Sequence, residues 1–143
     1  MMKKWFIISL LILIVTACAQ ERWQDSPTFS SENVAIQGIK NRLAFATEGI
    51  TPVYVGTTHK YLWHFWSDKE DYFGTFEVVA THEENGKTVH VYGAQNTPNA
   101  QPLNGADHHL LSLMTLPDAG IWRIDVTFDT VLFDSIYINV LES

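Results

Sequence analysis

Near the C-terminal end, Trp122, Ile124, Val126 and Phe128 alternate with Arg123, Asp125 and Thr127, the period of two of a strand with one face buried and one wet. Ile136, Ile138 and Val140 alternate with Tyr137, Asn139 and Leu141 in a second run. The polar Asp129-Thr130 break between the two predicts an antiparallel hairpin. Lys60 to Trp66 (KYLWHFW) is largely apolar on both faces, as expected of a central strand covered by the opposing sheet and, outside, by a loop or neighbour.

From Gly74 to Thr81, Phe76, Val78 and Ala80 face one way. Asn85-Gly86 then predicts a type I′ hairpin turn, with Lys87 to Tyr92 running back. Val34 to Ile39, Arg42 to Ala46 and Thr51 to Val55 read as short edge strands, broken by Gly38 and Gly49, and Ser67 to Tyr72 as a charged loop. Gly93 to Asp107, with two prolines, two glycines and three asparagines, reads as a long irregular connection of the kind that carries function. His108 to Thr115 returns to an apolar pattern. About seven strands, with no convincing amphipathic helix and no internal repeat, predict an all-β two-sheet antiparallel sandwich.

A chain of 143 residues, 46% hydrophobic and 13% aromatic, suits one domain with a proper core. Its first residues belong to something else. Lys3 and Lys4, the apolar run Trp5 to Val15 and the small residues before Cys18 form a secretory signal, a run of eleven residues being too short to span a bilayer that needs about 20. Val15-Thr16-Ala17-Cys18 resembles a bacterial lipobox, which implies diacylglyceryl transfer to the Cys18 sulfur and cleavage before it. Cys18 is the only cysteine, so no internal disulfide competes for it.

Residues 1–17 are thus expected to be a lipoprotein signal peptide, 18–33 the lipidated cysteine and a tether, and 34–143 the sandwich. As a flexible coil the tether would hold the domain on the order of 20 Å from the bilayer. Trp23 and Phe29 are its apolar exceptions, able to dock on the domain or enter the lipid interface. Loss of residues 1–17 leaves 7 basic against 16 acidic residues, a formal charge of −9. Nucleic acid is therefore not an expected partner. The acyl anchor, and no basic patch, would hold the domain to the extracytoplasmic face of the cell membrane.

Asp118-Ala119-Gly120-Ile121-Trp122-Arg123-Ile124 resembles the start of the penultimate strand of immunoglobulin domains, with Trp122 in the tyrosine's place and Ile124 in the cysteine's. The resemblance implies an immunoglobulin-like sandwich without the inter-sheet disulfide. It also implies a modified tyrosine corner, and Trp63 as the packing partner of Trp122 across the core. More of the chain resembles a family of uncharacterised lipoproteins of spore-forming Gram-positive bacteria. The matching pieces are Ser26-Pro27-Thr28-Phe29, Lys60 to Trp66, Leu103-Asn104-Gly105-Ala106, and Ser112 to Pro117 running into Gly120-Ile121-Trp122. That resemblance implies glycine near Thr130 and Asp134, carries no activity, and bears on fold and location.

Catalytic motifs are lacking: no G-x-S-x-G, P-loop or G-x-G-x-x-G occurs, and His82-Glu83-Glu84-Asn85-Gly86 lacks the second histidine of H-E-x-x-H. With Cys18 acylated no thiol remains, so neither an enzyme nor a cofactor is expected. Six histidines raise a metal site. His108 and His109 are neighbours on a strand and point to opposite faces, His59 and His64 are five apart, and His82 and His90 flank the Asn85-Gly86 turn without a third ligand. Asp68, Glu70 and Asp71 lack calcium-loop spacing. Tyr61, Trp63, Phe65 and Trp66 either line a carbohydrate or peptide groove or form core, and strand spacing favours core.

The expectation is a non-enzymatic, membrane-anchored binding or accessory module of the cell envelope whose partner is an unspecified envelope protein or ligand. The alternative is a lipoprotein binding copper, zinc or calcium. An inhibitor of a secreted protease is a third class, which nothing in the residues selects.

Overall fold

A computed structural model describes residues 21–47, 52–96 and 101–143. The strands are β1 (Thr28–Ser31), β2 (Val34–Ile39), β3 (Leu43–Thr47), β4 (Thr58–Phe65), β5 (Thr75–His82), β6 (Thr88–Asn96), β7 (His108–Thr115), β8 (Gly120–Phe128) and β9 (Val131–Val140). They pair antiparallel into a five-stranded sheet of order β1-β2-β3-β4-β7 and a four-stranded sheet of order β6-β5-β8-β9. The expected two-sheet sandwich is present, with β4 and β8 in interior positions.

Alternation builds the core between the sheets. Trp122, Ile124, Val126 and Phe128 of β8 and Phe76, Val78 and Ala80 of β5 are buried against Tyr61, Trp63 and Phe65 of β4, Phe45 of β3 and Leu110 of β7. Each large apolar side chain so buried contributes about 1.5–3 kcal/mol of transfer free energy. On β9 the inward set changes parity, from Phe133 to Ile136, Ile138 and Val140. The register shift opposite Val126 and Thr127 inserts one extra residue, and this bulge returns the apolar side chains to the core face. The β8–β9 turn at Asp129 and Thr130 has positive φ at both residues (49° and 67°), as type I′ geometry requires.

Trp122 ties the start of β8 to the turn before it. Its indole Nε1 donates to the carbonyl oxygen of Asp118 at 2.9 Å, a bond to the backbone four residues upstream that needs only a donor. Trp63 stands on the other side of the same core. It lies on β4, in the sheet opposite β8, where its rings neighbour Phe45 and Tyr61 while the ring beside Trp122 is His82. The two indoles share one core without forming a ring pair, and Nε1 of Trp63 donates to Ser112 Oγ at 2.8 Å.

Four local expectations change. Thr28–Ser31, read as tether, pairs with β2 through a two-residue turn at Glu32 and Asn33 (φ 47° and 66°). Its neighbours Asp25 and Ser26 bond the free edge of β9, so the sandwich begins well before Val34. Thr51 to Val55 forms no strand in its described part, Tyr54 making only a parallel bridge to Leu141. The β5–β6 hairpin exists, yet Asn85 lacks a positive φ. Gly86 N bonds the His82 carbonyl at 3.1 Å and His82 N bonds the Lys87 carbonyl at 2.9 Å, a longer loop with Gly86 alone left-handed (φ 67°). Finally, β6 runs on to Asn96 through pairing with Thr75, so the irregular connection is shorter than Gly93 to Asp107.

Candidate functional site

The described part of that connection, residues 101–107, is built on an Asn-Gly turn. Asn104 and Gly105 both have positive φ (49° and 84°), and Leu103 and Ala106 exchange two backbone hydrogen bonds across them at 3.2 and 2.9 Å. This is the type I′ pattern that Asn-Gly favours. Two side-chain bonds and one backbone bond then fasten the turn to the outer side of the five-stranded sheet. Trp66 Nε1 donates to the Gly105 carbonyl at 2.9 Å, Ser31 Oγ to the Asn104 carbonyl at 2.6 Å, and Asp107 N to the Phe65 carbonyl at 2.9 Å. A Cβ on Gly105 would meet Ser31 Oγ at 3.1 Å, so the close approach and the positive φ both call for glycine.

Beside the turn lies a shallow depression lined by Glu32 and residues 102–107. Phe29 and Trp66, both half-buried, stand next to each other there with ring centroids 6.4 Å apart. The aromatic set of β4 therefore divides. Tyr61, Trp63 and Phe65 are fully buried core, whereas Trp66 belongs to the surface cluster.

Under the turn, His64 is fully buried. Its Nδ1 donates to the Leu62 carbonyl at 3.0 Å, which leaves Nε2 to accept from the Asn104 side-chain amide at 3.1 Å. Burial lowers its pKa below the ordinary histidine value, and the nearby His109 adds to the shift. His109 Nδ1 donates to the Gln101 carbonyl at 2.6 Å, and His108 Nδ1 accepts from Gln101 N at 2.9 Å. His108 is buried and stacks on Tyr72 at 4.8 Å, while His109 is only half-buried, so the adjacent pair does face opposite ways.

The remaining histidines are dispersed. His82 is buried in the β5 core face, its Nε2 donating to the Ala119 carbonyl at 2.7 Å and its Nδ1 accepting from the backbone of Glu84 and Asn85. His90 is exposed opposite Val79, on the other face, so the pair considered across the hairpin does not converge. His59 Nε2 accepts from Tyr54 N at 3.3 Å. Among the described residues no three histidine, cysteine or carboxylate groups come together as ion ligands. The acids Asp68, Glu70 and Asp71 lie at a single 3₁₀ turn, Lys69–Tyr72, with Asp71 accepting from Ser67 Oγ.

A separate cleft of about 340 Å³ opens between β1–β3 and β9, with Asp25, Gln37 and Asn139 in its lining. Its polar groups are mutually engaged. Asp25 Oδ1 accepts from Gln37 Nε2 at 2.6 Å and from Asn139 N at 3.0 Å. On the outer face of β4 and β7, Leu111 and Leu113 are exposed near Leu62 and Lys60. Cys18 lies outside the described residues.

A family model for a domain of unknown function, DUF4871, matches residues 14–138. The chain belongs to that family. The DUF4871 match begins in the apolar run before Cys18 and ends in β9, so it takes in both the Asn104-Gly105 turn and the segment that lies along β9. No curated protein matches the chain. Among solved structures, the "X-ray Crystal Structure of a Putative Lipoprotein from Bacillus anthracis" is similar, with a TM-score of 0.65 and 19% identity over 85% of this chain and 88% of that one. At this identity the likeness bears on the sandwich fold alone.

Proposed function

We propose that this DUF4871 chain is a lipid-anchored extracytoplasmic module, tethered through Cys18, whose immunoglobulin-type sandwich binds an envelope component at the Asn104-Gly105 end. The anchor reading rests on the lipobox-like Val15 to Cys18, and the name of the Bacillus anthracis neighbour agrees with it. The strand order supports the immunoglobulin type. β3-β4-β7 faces β6-β5-β8-β9 as strands A-B-E face C′-C-F-G, with the β1–β2 hairpin added outside the first strand. Trp122 then falls on strand F and Trp63 on strand B.

One observation carries the binding role: Phe29 and Trp66 stand outside the core, against a turn held by hydrogen bonds from Trp66, Ser31 and Asn104. Aromatic side chains that present apolar area at a surface are favoured contact groups, and a pre-ordered turn lowers the entropy cost of binding. Among the described residues of this arrangement no nucleophile stands with its base, and the module is read as non-enzymatic.

Two experiments test the halves separately. The wild-type chain should fractionate with membranes and incorporate labelled lipid, and Cys18→Ser should do neither; a Cys18→Ser chain that stays membrane-bound and labelled refutes the anchor. For the binding half, the domain from residue 19 onward should recover an envelope component that a folded Phe29→Ala, Trp66→Ala double variant does not. Equal recovery by both would exclude this surface.

A further inference from the structure

We infer that residues 22–26 act as a docked leash, so that one end of the sandwich, bearing the Glu83–Lys87 loop and the Asp118–Ala119 turn, is held against the lipid headgroup surface. The inference rests on the lipidation of Cys18 proposed above and adds the orientation that lipidation alone does not give.

The leash is fastened by contacts far apart in sequence. The Trp23 ring lies 5.5 Å from Tyr137, the Arg123 guanidinium sits 5.2 Å from the Trp23 ring, and Trp23 N donates to a Glu83 carboxylate oxygen. Ser26 N donates to the Tyr137 carbonyl and Tyr137 N to Ser26 Oγ, both at 2.9 Å, while Asn139 N donates to Asp25 Oδ1 at 3.0 Å. These bonds cap the free edge of β9, which gives the segment a structural reason to stay in place.

The registers say which end the leash enters. Tyr137 pairs with Arg123 and Asn139 with Ile121, while Glu83 N bonds the Ile121 carbonyl, so Trp23 lies where β5 ends and β8 begins. From Asp25 to Ser26 the chain then runs along β9 away from that end. Five residue steps separate Cys18 from Trp23, a reach of at most about 18 Å fully extended. The nine residues of β8 extend about 30 Å at roughly 3.3 Å each, and the leash meets them near their start, beside Ile121 and Arg123. An anchor on this leash therefore draws that end to the bilayer, and the Asn104 end, with Phe29 and Trp66, points into the envelope. The near end carries Glu83, Glu84, Asp118 and Glu142 against Lys87, so the short leash and no attraction to anionic lipid keeps it close.

Because acylation consumes the single native cysteine, one introduced cysteine is a unique labelling site. Exposed Glu84 lies at the near end, and exposed Lys40, in the turn after β2, at the far end. The full-length lipidated chain carrying Glu84→Cys or Lys40→Cys, dye-labelled and reconstituted into phosphatidylcholine vesicles with a nitroxide headgroup lipid, should show several-fold stronger quenching at 84 than at 40. Equal or reversed quenching in vesicle-bound protein overturns the orientation while leaving the anchor standing. A chain that carries no lipid and does not float with vesicles overturns the anchor and the orientation together. Adding Trp23→Ala and Asp25→Ala should bring the two quenching values together in a folded, still-anchored protein; an unchanged ratio shows that the docked leash does not set the orientation.

Discussion

The side-chain amide of Asn104 donates to Nε2 of His64 at 3.1 Å, and the other ring nitrogen of this fully buried histidine donates to the Leu62 carbonyl at 3.0 Å. One residue thus closes a turn with its backbone and satisfies a buried ring with its side chain. Asn104→Gly keeps the left-handed turn and removes the donor, so it should cost about 1–3 kcal/mol, the range for leaving a buried polar atom unpaired. Asn104→Ala should cost roughly 1 kcal/mol more, because alanine must also take the positive φ. Urea unfolding of the two variants measures the order. Equal stability of Asn104→Gly and wild type would show that the His64 bond contributes nothing.

Trp122 couples core packing to the turn before β8. Trp122→Ala should destabilise by about 3–5 kcal/mol, and Trp63→Ala by a similar amount, since both indoles are fully buried. The hydrogen bond to Asp118 separates two smaller changes. Trp122→Tyr supplies a hydroxyl donor, whereas Trp122→Phe leaves the Asp118 carbonyl without one, so the phenylalanine variant should be the less stable by about 1 kcal/mol. Thermal melts in which Phe equals or exceeds Tyr would show that the bond to the Asp118 carbonyl does not contribute.

What could be read from the residues follows physical locality. The β8–β9 hairpin was legible because alternation and a polar break lie side by side in the chain. β1 was hidden: Thr28 to Ser31 is polar and partly exposed, and it joins the sheet through its backbone. The leash bonds join residues 60 to 114 positions apart, which no local pattern can report. At Asn104-Gly105 the type I′ signal was present, but Leu103 and Ala106 are too short a flank to read as strands; at Asn85-Gly86 the flanks read as strands and the turn type differed. Phe133 broke the alternation that would have shown β9 at full length. The surface aromatic Trp66 sat in the same apolar run as three core aromatics, and only the position of the loop distinguishes it.

Acid should weaken the fold in a defined window. Burial lowers the folded-state pKa of His64 and of His108, so between that value and the unfolded value of about 6.5 the unfolded chain binds more protons. Stability then rises with pH: it is fully present above about 6.5 and is lost as pH falls below it. Asp118 acts lower down. The hydrogen bond from Lys87, then that from Asn85, hold its pKa below the usual carboxylate value, so its contribution is lost only as pH falls through that depressed value. Unfolding free energies between pH 7.5 and 5 should therefore decline, with the Cε1 proton shifts of His64 and His108 still reporting neutral rings below pH 6.5. A flat profile with both rings titrating normally would contradict it.

Thr130 provides the sharpest local test, because a β-branched residue occupies a left-handed turn position there. It holds a φ of 67° in the β8–β9 turn, where a β-branched side chain costs about 1–2 kcal/mol relative to its preferred regions. Thr130→Gly relieves that strain at the expense of unfolded-chain entropy, leaving an expected net gain of about 0.5–1 kcal/mol. Its neighbour should behave in the opposite way. Asp129 also has a positive φ, yet its Oδ1 accepts from Thr75 N at 2.7 Å and its own N–H donates to the Thr75 carbonyl at 3.0 Å, tying the turn to the start of β5. Asp129→Gly gives up the carboxylate bond, which outweighs the relief of strain, so the variant should be less stable than wild type. Chemical denaturation of both glycine variants decides it: stabilisation at 129 together with destabilisation at 130 would mean that backbone strain and the Asp129–Thr75 bond had been assigned to the wrong residues.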